Sequence, residues 1–60
     1  MIKVGSLVWF LKSMRMCEVM EIHDDGYTVE TIDARKRLFA TKDGIELVDG
    51  EQYNTGKENG

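Results

Sequence analysis

The chain has 60 residues, 42% of them hydrophobic and 32% charged, which makes one domain at most and leaves no room for a catalytic domain beside a cofactor domain. No apolar run approaches the roughly 20 residues of a membrane helix, the N-terminus lacks the pattern of a signal peptide, and the single cysteine, Cys17, excludes an internal disulfide framework and any multi-cysteine metal site. The net charge is −3, but residues 1–48 carry seven basic and eight acidic side chains, so most of the acidic excess falls in the last twelve residues and no strongly basic footprint exists.

Proline is absent, and Val, Ile, Thr, Tyr, Phe and Trp cluster into short runs that read as strands. Residues 6–11 (SLVWFL) are the first, opened by Gly5. Residues 16–23 (MCEVMEIH) are the second, and Asp24-Asp25-Gly26 after them reads as a hairpin turn, glycine accepting the positive φ of a tight turn. Residues 27–32 (YTVETI), 37–41 (RLFAT) and 45–48 (IELV) are the third, fourth and fifth. They are separated by the polar Asp33-Ala34-Arg35-Lys36 and by Lys42-Asp43-Gly44, the latter a turn or a single helical turn. Residues 50–60 (GEQYNTGKENG) show no period and are expected to be a disordered C-terminal tail. The rival for residues 7–23 is a helix, since Met, Leu and Glu favour one, although apolar residues at 8, 11, 14 and 19 fit a helical face only loosely.

Five short strands in about 48 residues predict an all-β fold, a small curled barrel with alternate residues inward. The expected core is Val8, Phe10, Val19, Ile22, Tyr27, Val29, Leu38 or Phe39, Ile45 and Leu47. The odd spacing from Val19 to Ile22 implies a bulge near Met20. The succession VGSLVWF, CEVMEIHDDGYTVET, RLFAT and GIELV resembles the SH3-like small barrels of the Tudor and KOW kind. The resemblance covers residues 4–49 and implies a five-stranded SH3-like barrel, so the domain is set at residues 1–49, before the tail at 50–60. Two departures stand out. Met16 or Cys17 holds the place where many KOW-type segments have glycine, and the first loop, Lys12-Ser13-Met14-Arg15, has none of the aromatics that line a methyl-lysine cage.

The chemistry-bearing residues point to binding rather than catalysis. His23 beside Asp24 and Asp25 is the one group resembling an acid–base pair, but a hairpin end offers no pocket, and a solvated histidine is expected. The same stretch lacks the spaced oxygens of a calcium loop. Cys17 reads as a small apolar thiol, with Arg15 on the same strand face by spacing. No catalytic residue, metal or cofactor is expected.

Strand one is apolar on both faces: Val8 and Phe10 on one, Leu7, Trp9 and Leu11 on the other. Three large apolar groups on a face that should meet solvent need a cover. Tryptophan is favoured at binding hot spots, and Met14, Met16 and Met20 add adaptable surface. Either the N-terminal segment Met1 to Val4 or the tail folds over this face, or a second copy of the chain covers it as a homodimer, or a partner protein does. The leading expectation is a cytoplasmic protein-interaction module, docking through Leu7, Trp9 and Leu11 with Glu18 and Glu30 on an acidic stripe, that modulates or inhibits a larger protein. The resemblance implies that this partner is a transcription, translation or nucleic-acid-processing machine. A free thiol and the lack of an export signal fit the cytoplasm, and no membrane partner is expected. Nucleic acid is the secondary partner, its phosphates held by Arg35, Lys36 and Arg37 at a turn, with Lys12, Arg15 and Lys42 joining them.

Overall fold

The computed structural model describes residues 1–48, which are all-β. Five strands are present: β1 (Leu7–Phe10), β2 (Arg15–His23), β3 (Gly26–Thr31), β4 (Arg37–Thr41) and β5 (Ile45–Leu47). The helical alternative for residues 7–23 is therefore overturned: the β-branched and aromatic content of β1, and its ladder to β2, outweigh the helix propensity of Met and Glu. Among the described residues, no helix is long and apolar enough to cross a membrane. The tail at 50–60, the domain limit at 49 and the tail's part in covering strand one lie outside the described residues.

The strands form one antiparallel sheet in the order β4-β3-β2-β1-β5. β1 to β4 meander, and β5 returns to pair with β1, Val8 opposite Leu47 and Phe10 opposite Ile45. β4 and β5 are the two edges, and no ladder closes them into a barrel. One core cluster nevertheless draws on every strand: Val8, Cys17, Val19, Val29, Ala40 and Ile45. Phe10, Tyr27, Leu38, Leu47 and Ile2 pack against it, half-buried.

The bulge lies where the spacing predicts it, with the β2–β3 register shifting between Val19 and Glu21. It returns Ile22 to the core side opposite Tyr27, yet Ile22 is 50% exposed. The reason is length. β1 pairs with β2 only as far as Glu18, so the hairpin end of β2 overhangs the core. Leu38, not Phe39, takes the inward place on β4; Phe39 is 52% exposed.

The Asp24-Asp25 turn also differs from expectation. Gly26 pairs with His23 as the first residue of β3, and neither it nor the two aspartates has positive φ, so the mirror-image hairpin turns are excluded. Glycine is required here for space: a Cβ at Gly26 would fall on the Ala40 carbonyl oxygen and the tip of the Phe39 ring. The left-handed residues are instead Gly5, Met14 and Arg35.

Candidate interaction surfaces

Register places the large outward groups of β1. Leu7 lies opposite Glu18, which lies opposite Glu30, which lies opposite Arg37. One row along, Trp9 lies between Met16 of β2 and Glu46 of β5. Ile32 continues this row, its N–H donating to the Met16 carbonyl at 3.1 Å; it is 39% exposed. The outer face of β1 and β2 is thus an apolar strip of Leu7, Trp9, Met16 and Ile32, flanked by the carboxylates of Glu18, Glu30 and Glu46. Leu7, Trp9 and Met16 are half-buried. Leu11 departs from the expected trio. It is 38% exposed in the β1–β2 turn, where its N–H is held by the Gly44 carbonyl at 2.9 Å, so it sits at the end of the strip rather than within it.

The N-terminal segment does not roof this strip. Ile2 packs on the inner core, while Met1 and Val4 are exposed. The segment is tied down by Gly5 N–H to the Val19 carbonyl at 2.7 Å and by Val19 N–H to the Ser6 carbonyl at 2.9 Å.

The basic residues do not gather into one patch. Strand alternation and the β3–β4 loop send them apart. Arg35 turns to the outer face, its Nη1 4.0 Å from Glu18 and 3.9 Å from Glu30, and Arg37 stands opposite Glu30 on the same face. Arg15 and Lys36 line a cleft of about 440 Å³ at the loop end of the sheet, between Ser13 of the β1–β2 loop and Ala34 of the β3–β4 loop, over Phe10 and Leu38. Lys12 borders a smaller cleft of about 170 Å³ with Phe10, Phe39, Ala40, Thr41 and Gly44, beside β4 and the start of β5. Lys42 is exposed in the β4–β5 turn.

Thr31 organises the β3–β4 loop. It is 3% exposed; its N–H donates to the Lys36 carbonyl at 2.8 Å, its carbonyl accepts from Arg35 N–H at 2.9 Å, and its Oγ1 accepts from Lys36 N–H at 3.0 Å. Asp33 binds Arg15 Nη1 at 2.8 Å and accepts from Ala34 N–H at 2.6 Å. Of the residues expected to join the basic turn, Arg15 comes beside Lys36 at this cleft; spacing along the chain does not disclose the apolar floor or the Asp33 contact, because they depend on the alignment of two loops at one end of the sheet.

The residues with nucleophilic or acid–base character are placed structurally. The buried Cys17 thiol is directed at the Arg15 carbonyl at 3.7 Å. Burial chiefly raises its pKa, Asp33 adds to the rise, and Arg15 opposes it, which is the reverse of an activated thiolate. His23 does not engage Asp24 or Asp25. Its Nε2 lies 2.8 Å from Thr28 Oγ1 and 3.4 Å from Glu21 Oε1, and its ring is 6.3 Å from that of Phe39. Among the described residues no group of three or more His, Cys, Asp or Glu is placed to hold a metal ion. The chain matches no family model, no curated protein and no solved structure.

Proposed function

We propose that this chain is a non-enzymatic protein-interaction module of the SH3-like small-barrel kind. It docks on a larger cytoplasmic protein through the outer face of β1 and β2 and modulates or inhibits it. The observation that carries the reading is the apolar strip of half-buried Leu7, Trp9 and Met16 with the exposed Ile32 on one face of β1 and β2. A sheet face bearing a tryptophan and its apolar neighbours gains free energy when a partner removes it from water. The carboxylates of Glu18, Glu30 and Glu46 flank it, so the matching surface carries basic groups around an apolar centre. In support of the barrel are the core cluster drawn from all five strands and the return of β5 to β1. A regulated transcription, translation or nucleic-acid-processing machine, whose surface is basic where it meets its template, suits such a docking face.

The nucleic-acid alternative draws less support. Ion pairing of Arg35 with two glutamates and the separation of Lys12 and Lys42 from the Arg15 and Lys36 pair argue against a continuous track for a phosphate backbone.

The test is an affinity capture from source cells with and without nuclease, followed by titration of the purified partner. Trp9→Ala is expected to weaken binding by about 2 kcal/mol or more, roughly thirtyfold. Trp9→Phe, which keeps an apolar ring, is expected to recover part of it. A folded Trp9→Ala protein that binds the partner as the wild type does removes the assignment.

A further inference from the structure

The cleft at the loop end is separate from the outer face of β1, and three features define what it accepts. The first is its floor. Phe10 and Leu38 pack against the core on one side and line an open cleft on the other, so apolar surface stays in water until something flat lies on it.

The second is charge. Arg15 has one nitrogen of its guanidinium committed to Asp33 at 2.8 Å, and the rest of its five-donor fork is unspent among the described residues. The Lys36 ammonium has no ion pair among the described residues, and the Ser13 hydroxyl has no hydrogen bond among them. Arg15, Lys36 and Asp33 together leave one excess positive charge. That matches a single anionic head. It is a poor match for a polyanion, in a stretch whose residues 1–48 total −1.

The third is preorganisation. Main-chain hydrogen bonds fix both walls: Ser13 and Met14 N–H to the Phe10 carbonyl at 3.2 and 2.6 Å, and the Thr31–Lys36 closure of the opposite loop. The two non-glycine residues with left-handed φ, Met14 at 56° and Arg35 at 58°, lie one in each of the loops that supply Ser13 and Ala34 to the cleft. Such residues are strained and persist where the surroundings impose them. A cleft whose walls are already set asks little ordering of its occupant, and about 440 Å³ lies within the usual size of a small-molecule site.

We propose that this cleft binds a small organic anion: one phosphate or carboxylate head held by Lys36 and the free edge of Arg15, on a flat apolar body laid against Phe10 and Leu38. A nucleoside monophosphate and an aromatic carboxylate share this chemistry. Amide chemical-shift titrations of the full chain with adenosine monophosphate, indole-3-acetate, adenosine and inorganic phosphate separate the sources. Adenosine monophosphate, indole-3-acetate or both are expected to give saturable shifts at Ser13, Arg15, Thr31 and Lys36, with adenosine and inorganic phosphate about tenfold weaker or worse, the loss of one charged contact or of the stacked body. Saturation by only one shows which of the two anions the cleft accepts. The exposed Lys36→Met change, which keeps the stem and removes the charge, is expected to weaken binding about tenfold without disturbing the Thr31 amide in the free protein. No saturable shift with either anion up to about 10 mM, equal binding by Lys36→Met, or shifts confined to Leu7 and Trp9 would overturn the proposal.

Discussion

Gly26, Met14 and Cys17 show how single positions are decided by their surroundings. At Gly26 the constraint is the close approach of β4, so Gly26→Ala is expected to cost about 2 kcal/mol in urea unfolding, the range for forcing atoms into packed space. A glycine needed only for turn dihedrals would give a smaller loss, because its φ is not positive. Met14 presents the opposite case: it is exposed and left-handed, so Met14→Gly is expected to raise stability by about 0.5 kcal/mol and the β-branched Met14→Val to lower it by about 1 kcal/mol. At Cys17 the folded-state pKa is raised, so the folded protein holds its thiol proton where the unfolded chain has released it. Below the ordinary thiol range the group leaves stability unchanged. As pH rises through and beyond that range stability falls, and Cys17→Ala is expected to abolish that part of the slope. Melting temperatures of the two proteins across neutral to alkaline pH check the sign.

Strands are where the sequence was most legible, and loops where it was least. Clusters of β-branched and aromatic residues place all five strands, and the odd spacing from Val19 to Ile22 places the bulge near Met20, because these signals are local to each strand. They do not tell how far a neighbour runs alongside. Ile22 points to the core side but overhangs β1, and Leu11 continues the outward alternation of Trp9 but has already entered a turn. Arg35-Lys36-Arg37 reads as one basic cluster in sequence, yet the left-handed Arg35 and the start of β4 send its members to different surfaces. The carboxylates opposite β1 were legible because Glu18 and Glu30 fall on the outward period of their strands; the cleft was not, because it depends on two loops far apart in sequence. Thr31 holds that loop closed, and Thr31→Val keeps the shape while leaving the Lys36 N–H without its partner. A loss of about 1 to 2 kcal/mol is expected, with faster amide exchange at Lys36 as the local signature.

Among the described residues the molecule is one five-stranded sheet with its core on one face and an apolar strip on the other. A chain of this size has little surplus stability, so an apolar face retained on its outside calls for a use, and the flanking glutamates give that use a polarity. Charge reversal at Glu18 disturbs the rim and the Arg35 contact without touching the core. It is expected to slow association with the basic partner and to alter its salt dependence more than its dissociation. The loop-end cleft lies apart from this face, so Lys36→Met is expected to leave partner binding unchanged.

Trp9 is the only tryptophan, which makes the docking face its own reporter. The most direct measurement is the Trp9 emission during titration with the captured, nuclease-treated partner, alongside the affinity of a Trp9→Ala protein whose melting curve shows it folded. The docking account predicts a blue shift that saturates with the partner and a loss of roughly thirtyfold in affinity without the indole. An unshifted emission together with wild-type affinity in Trp9→Ala would contradict it.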